Sequence, residues 1–249
     1  PGGIVNMVTK RPKDEAFREV EVLAGTDDRY QGAFDVTGPV PGSETLSYRL
    51  TGLARTAETE LVGYPDDRLL IAPALSWEIT SDTTLTLLGE YGESTTGGTA
   101  GYYNSSYGVA SRIPSADPAY NDFEQSQWRL GWELEHELTE QVTLRQKARY
   151  ANVDADLEYS GLYATATPAL ARYWGHYTEE MSQFTIDNQA QVELATGPVD
   201  HTLLAGIDYT WAEYDAGSPR RRPRRFPIRA GRIRTRSAST CTTRRCGAT

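Results

Sequence analysis

Residues 17–213 form segments about ten residues long in which polar and apolar side chains alternate, and nothing else in the chain constrains its fold so tightly. Leu69, Ile71, Leu75 and Trp77 fall on one face of such a segment, with Arg68, Ser76 and Glu78 on the other. Thr84, Thr86 and Glu90 alternate in the same way with Leu85, Leu87 and Tyr91. A period of two puts successive side chains on opposite faces of a sheet, so each segment reads as a strand with one greasy and one wet side. Repeated many times with aromatics near the ends, the pattern is that of a transmembrane antiparallel β-barrel.

Nine strands are expected, near 17–26, 29–37, 46–57, 67–79, 83–93, 126–138, 142–155, 181–195 and 201–213. Short turns near 38–45, 80–82, 139–141 and 196–200 fall at one end. Long connections near 58–66, 94–125 and 156–180 fall at the other, as periplasmic turns and external loops do in outer-membrane barrels. Nine is odd, whereas bacterial single-chain barrels normally close with an even number, and an open edge in lipid leaves backbone groups unpaired. The chain is therefore expected to be a piece of a barrel, inactive by itself. Its start at Pro1, without a Met or a leader, reads as a fragment boundary.

Composition agrees. No run approaches eighteen apolar residues, which excludes membrane-spanning helices but not spanning strands. Fifteen Tyr and five Trp against five Phe suit surfaces that are apolar on one edge and wet on the other. The net charge of −9 hides two unlike regions: residues 219–249 carry 11 Arg and no acid, and every Asp and Glu lies before them. A nucleic-acid or anionic-lipid contact would suit such a tail. An out-of-frame or disordered C-terminus explains the break better, since the alternation also stops after Ser218, and no nucleic-acid partner is expected. Cys241 and Cys246 lie in that tail with no nearby His or further Cys, a weak basis for metal or redox chemistry.

The opening residues Pro1-Gly2-Gly3-Ile4-Val5-Asn6-Met7-Val8-Thr9-Lys10-Arg11-Pro12 closely resemble the end of the plug domain in TonB-dependent siderophore receptors. The resemblance continues through Val22-Leu23-Ala24-Gly25-Thr26-Asp27. Tyr48 to Arg55 and Asp200 to Asp208 are similar to ferric-hydroxamate receptors of the ferrichrome type. It implies an all-β fold: the end of an N-terminal plug over 1–16, then the first part of a barrel of about 22 strands over 17–216, with an Arg-rich tail over 217–249. It also implies uptake of a ferric siderophore across the outer membrane of a Gram-negative bacterium, driven by TonB, ExbB and ExbD. No cofactor is implied, because the iron belongs to the transported ligand. The TonB box, nearly all of the plug and more than half of the strands are missing from this sequence.

No catalytic constellation stands out, and an enzyme is not expected. His136, His176 and His201 lie far apart, and no phosphate-binding glycine loop is present. The expected ligand contacts are the aromatics of the long loops: Tyr102, Tyr103 and Tyr107 in 94–125, and Tyr159, Tyr163 and Trp174 in 156–180, beside Tyr173 and Tyr177. Rings with a polar edge pack on a ligand's apolar parts while donating to its oxygens. The bland alternative places them as loop caps or members of the outer aromatic belt. Arg49, Arg55, Arg145, Arg149, Asp187 and Glu193 are expected to face a wet lumen or a plug, because Arg in lipid costs about 2–4 kcal/mol near the midplane. Lys10 and Arg11 read as ordinary periplasm-side charges at the plug–barrel junction. The competing readings are a passive porin-like or adhesin-like barrel, which would not need the plug-like opening, and a soluble all-β binding protein, which would bury Leu85 and Leu87 in a two-sheet core.

Overall fold

The computed structural model describes residues 8–104, 113–164, 170–218, 221–226 and 234–235. Nine strands follow one another as antiparallel neighbours in chain order: β1 (Phe17–Ala24), β2 (Tyr30–Pro39), β3 (Leu46–Thr56), β4 (Asp66–Thr80), β5 (Thr83–Gly97), β6 (Asp122–Thr139), β7 (Val142–Ala164), β8 (Leu170–Thr196) and β9 (Val199–Ser218). Two further strands were not expected. β10 (Arg221–Phe226) and β11 (Arg234–Thr235) both pair with β9 in the Arg-rich stretch, giving eleven strands in one sheet. Main-chain pairing along the edge of β9 needs no apolar alternation, so the side-chain pattern gave no sign of it.

From β1 to β9 each pair keeps a single register, with irregularities only beside the hairpin turns, between Glu78 and Thr80 and between Glu137 and Thr139. Side-chain parity therefore carries unbroken across the sheet. One row runs Thr37, Arg49, Ala74, Leu88, Gly131, Arg149, Thr185, Thr210. The row one residue away, on the other face, runs Tyr48, Leu75, Leu87, Trp132, Ala148, Ile186, Tyr209. Arg55, Arg145, Asp187 and Glu193 share the polar face with Arg49 and Arg149, as expected. A strap of residues 8–16 crosses that face.

The apolar face has no second layer over it. Among the described residues the only buried hydrophobics are Ala57, Ala74, Ala116 and Ala148, whereas Val22 is 83% exposed, Leu130 60% and Leu87 46%. A soluble sandwich would bury these side chains. Leu85 is only half-buried and Leu87 is exposed, so the two-sheet core required of a soluble binding protein is not there.

The strands run further than the alternation suggested. β5 reaches Gly97 and β6 begins at Asp122, which shortens the connection expected over 94–125. The loop expected over 156–180 is mostly sheet: β7 continues to Ala164 and β8 starts at Leu170. At 27 residues β8 is about 90 Å long, against the roughly ten residues that cross a bilayer. The β7–β8 hairpin thus projects well past the apolar band, at the end opposite the short turns.

Candidate ligand site and the strap beneath it

Two features occupy the polar face: an aromatic ladder on the projecting hairpin and an ionic seam under the strap. In the hairpin, Tyr159 lies opposite Gly175 and Tyr173 opposite Gly161. Each ring lies across its partner glycine. A Cβ at Gly175 would come within 2.2 Å of the Tyr159 ring, and one at Gly161 within 2.4 Å of the Tyr173 hydroxyl. Tyr159 stacks on Tyr177 with centroids 5.8 Å apart and planes 9° from parallel. Its edge meets Tyr173 at 6.3 Å, and Tyr173 meets Tyr163 at 6.4 Å. All four rings share the strap's face by parity. The Tyr159 hydroxyl is held above the usual phenol range, first by its hydrogen bond with Tyr177 and then by partial burial, so it stays protonated near neutrality.

Directly below the ladder is a cavity of about 690 Å³ whose floor includes Ser94, Gln125, Ala155 and Glu179. Ala155 pairs with Glu179 one row beneath the pair Leu157 and Tyr177. Pockets of this size suit drug-sized ligands. Glu179 is the acidic side chain of that floor; Glu93, Glu124, Asp154 and Asp215, each one position out of phase, border it through their backbone and turn to the opposite face.

The hairpin is braced from its other face. Ser160 is fully buried and its Oγ accepts the Asp117 backbone N–H at 2.6 Å, while Arg172 pairs with the Asp117 carboxylate at 3.1 Å. Asn121, also buried, donates to the Gly63 carbonyl at 2.8 Å and accepts the Thr99 N–H at 2.7 Å. These contacts tie the β3–β4 and β5–β6 connections to the back of the projection.

The expected ligand residues divide accordingly. Tyr159 and Tyr163 come together in the ladder, but on strands rather than in a loop. Trp174 does not join them: it lies out of phase, on the opposite face, and is 59% exposed. Tyr102 sits in an isolated bridge with Pro114, its hydroxyl directed at the Glu60 carbonyl 3.4 Å away. The Tyr103 N–H donates to the Ile113 carbonyl at 2.9 Å. Tyr107 lies outside the described residues. Tyr173 and Tyr177 complete the ladder. The paired spacings Tyr159-x-Gly161-x-Tyr163 and Tyr173-x-Gly175-x-Tyr177 are the sequence signal for it.

At the strap, Lys10 and Arg11 are not the ordinary periplasmic charges expected of them. Lys10 reaches Asp35 at 2.7 Å, and Arg49 grips the same carboxylate through two nitrogens at 2.9 and 2.6 Å. Arg49 also donates to the Arg11 carbonyl at 2.9 Å. Arg11 forks onto Glu133 at 2.8 and 2.5 Å, 122 residues away in sequence. The Lys13 N–H donates to the buried Thr37 hydroxyl at 2.9 Å. Carboxylates on the wall thus hold a short basic segment by charge-assisted bonds. Among the described residues no group of three or more His, Cys, Asp or Glu could hold a metal ion.

Residues 76–241 match the sequence model of the family described as TonB dependent receptor-like, beta-barrel. The chain is 32% identical to the ferrichrome outer membrane transporter/phage receptor of Escherichia coli K12, over 88% of this chain and 34% of that protein. It is 31% identical to the ferrioxamine B receptor of Salmonella typhimurium SL1344, over 84% of this chain and 31% of the receptor. The chain therefore spans about a third of the length of these curated relatives. Its fold matches the outer-membrane ferripyoverdine receptor of Pseudomonas aeruginosa with a TM-score of 0.77 at 17% identity, covering 93% of this chain and 33% of the receptor. An all-β sheet with one bare apolar face, a strapped polar face and these likenesses place the chain in a Gram-negative outer membrane, as a member of the TonB-dependent siderophore-receptor family, whose members are transport proteins and not enzymes.

Proposed function

We propose that this chain forms the plug end and first barrel strands of a receptor that takes up a ferric siderophore of the hydroxamate type, powered through TonB, ExbB and ExbD, and that it does not transport alone. The observation that carries this reading is the tyrosine ladder standing over a cavity of about 690 Å³. A siderophore already fills iron's coordination sphere, so the receptor meets an organic shell with exposed oxygens. Phenol rings supply apolar faces to that shell and hydroxyl donors to those oxygens. The charge around the cavity separates ligand classes. Ferric trihydroxamates are neutral or cationic, whereas ferric tris-catecholates carry several negative charges and are repelled by Glu179 on the cavity floor. Two relatives are a ferrichrome transporter and a ferrioxamine B receptor, which supports the same class.

In this reading residues 1–16 are the plug's end and linker, residues 17–216 are wall, and the Arg-rich stretch after them is no part of the alternating pattern. Tyr159, Tyr163, Tyr173 and Tyr177 touch the ligand's shell, and Tyr102 and Tyr103 approach it from the neighbouring connection. Trp174, turned to the opposite face, serves an outer surface. The test is equilibrium binding to outer membranes that carry the protein, using a ferric trihydroxamate and a ferric tris-catecholate. The trihydroxamate is expected to bind preferentially, and Tyr159→Ala with Tyr177→Ala to weaken it about tenfold, the equivalent of ~1.4 kcal/mol. Equal binding of both ligands, unaffected by the double substitution, would overturn the proposal.

A further inference from the structure

Among the carboxylates of the polar face, Glu179 stands apart. Asp35 is held by Lys10 and Arg49, Glu133 by Arg11 and Glu90 by Arg129. Among the described residues no Lys, Arg or His forms an ion pair with Glu179. Arg68 shares its row, but four strands away, about 19 Å along the sheet. The wall thus answers its deeper acids with its own cations and leaves the one beneath the tyrosine ladder without such a partner.

The surroundings of Glu179 leave room for a small cation. Ala155 and Ala216 flank it in the row, and neither side chain is long enough to cover the carboxylate. Tyr177 stands two residues up the same strand on the same face, about 7 Å away, and is exposed. The Tyr214 hydroxyl hydrogen-bonds Glu179 from β9, and a carboxylate with about four acceptor positions keeps capacity for more. Glu180, next in sequence and equally charged, turns to the opposite face.

On the hydroxamate reading, on which this rests, we propose that Glu179 and the Tyr177 ring form an ammonium subsite, which makes the receptor prefer ferric trihydroxamates carrying a free primary amine over neutral ones. With the iron core packed on the tyrosine rings, an amine on a flexible alkyl arm hangs into the cavity of about 690 Å³. There the protonated amine donates to the carboxylate while it lies against the negative face of the ring. Neither partner alone selects a cation. A phenol ring packs on neutral shells equally well, and a lone carboxylate in water holds an ammonium weakly.

The test is competition binding to outer membranes that carry the protein. The probes are a linear ferric trihydroxamate ending in a primary amine and the same compound N-acetylated, which differ by one positive charge. The amine form is expected to bind about tenfold tighter at low salt, and the difference to shrink as salt rises. Glu179→Gln should bring the two affinities together, and Glu179→Ala serves if that variant does not reach the membrane. Glu180→Gln, which removes the same charge from the opposite face, should leave the preference in full. Equal affinities in the unaltered protein, with both forms outcompeting a ferric tris-catecholate, would overturn the subsite and leave the hydroxamate reading standing. A preference that survives Glu179→Gln would overturn the subsite as well. Binding of neither trihydroxamate would overturn both.

Discussion

At the scale of single residues, the candidate site depends on two positions where a methyl group cannot be accommodated. Gly161 and Gly175 are the floors on which Tyr173 and Tyr159 lie, and a Cβ at Gly175 would occupy the space of the Tyr159 ring. Gly175→Ala should lift that ring from the sheet, break its stack on Tyr177 and lower trihydroxamate affinity several-fold. Fold and membrane insertion should be unchanged, because the backbone pairing there needs no side chain. Binding titrations alongside heat-modifiable mobility check both halves. Parity sets Tyr159 and Tyr163 on one face and Trp174 on the other: in sequence Trp174 is adjacent to Tyr173, whereas in a strand adjacency means opposite faces. Lys10 and Arg11 were illegible for a different reason. Their partners, Asp35 and Glu133, are set by how a strap lies across a sheet, and no local pattern encodes that.

At the scale of elements, the alternation located all nine main strands, gave the faces of β4 and β5 correctly and misjudged several ends. The stretch from Val142 reads as strand because Val142, Leu144, Ala148 and Tyr150 alternate with Thr143, Arg145, Lys147 and Arg149. Leu157 to Tyr163 continues the same strand outside lipid, where neither face needs to be greasy, and Tyr, Gly and Ser then resemble a loop. What holds the projecting hairpin straight is a polar brace on its back. Asn121 is the pivot, since its buried amide binds both neighbouring connections. Asn121→Ala leaves the Thr99 N–H without its acceptor and the Gly63 carbonyl without its donor, at a cost of about 2–3 kcal/mol. Hydrogen exchange at residues 57–65 and 98–100 should accelerate strongly, while amides in the membrane-spanning parts of β5 and β6 keep their protection.

At the scale of the whole molecule, the sheet separates two solvents with nothing but side-chain parity. Leu87 and Leu88 are neighbours in sequence and chemically identical, yet one faces the apolar row with Trp132 and the other the polar row with Arg149. Leu87→Arg should destabilise the membrane-inserted protein by about 2–4 kcal/mol if it reaches the midplane. Leu88→Arg, turned to the wet side near Glu90 and Glu133, should cost far less. Urea titration of both variants in lipid vesicles, followed by tryptophan fluorescence, distinguishes them. The same asymmetry explains why a hydrophobic core in the usual sense was not to be found: the apolar side chains are in contact with lipid.

The unbroken register of β1 to β9 carries a cost of its own. With no bulge away from the two hairpin turns to absorb an error, losing a single amino acid in the middle of a strand would rotate everything on one side of the lesion by half a turn. A codon lost between Val142 and Tyr150 would swing Arg145, Lys147 and Arg149 out among acyl chains, or else force the partner strands to slide. Natural variation in length must therefore collect in the connections, and a gene of this kind can lengthen its loops freely while its walls admit changes only two residues at a time.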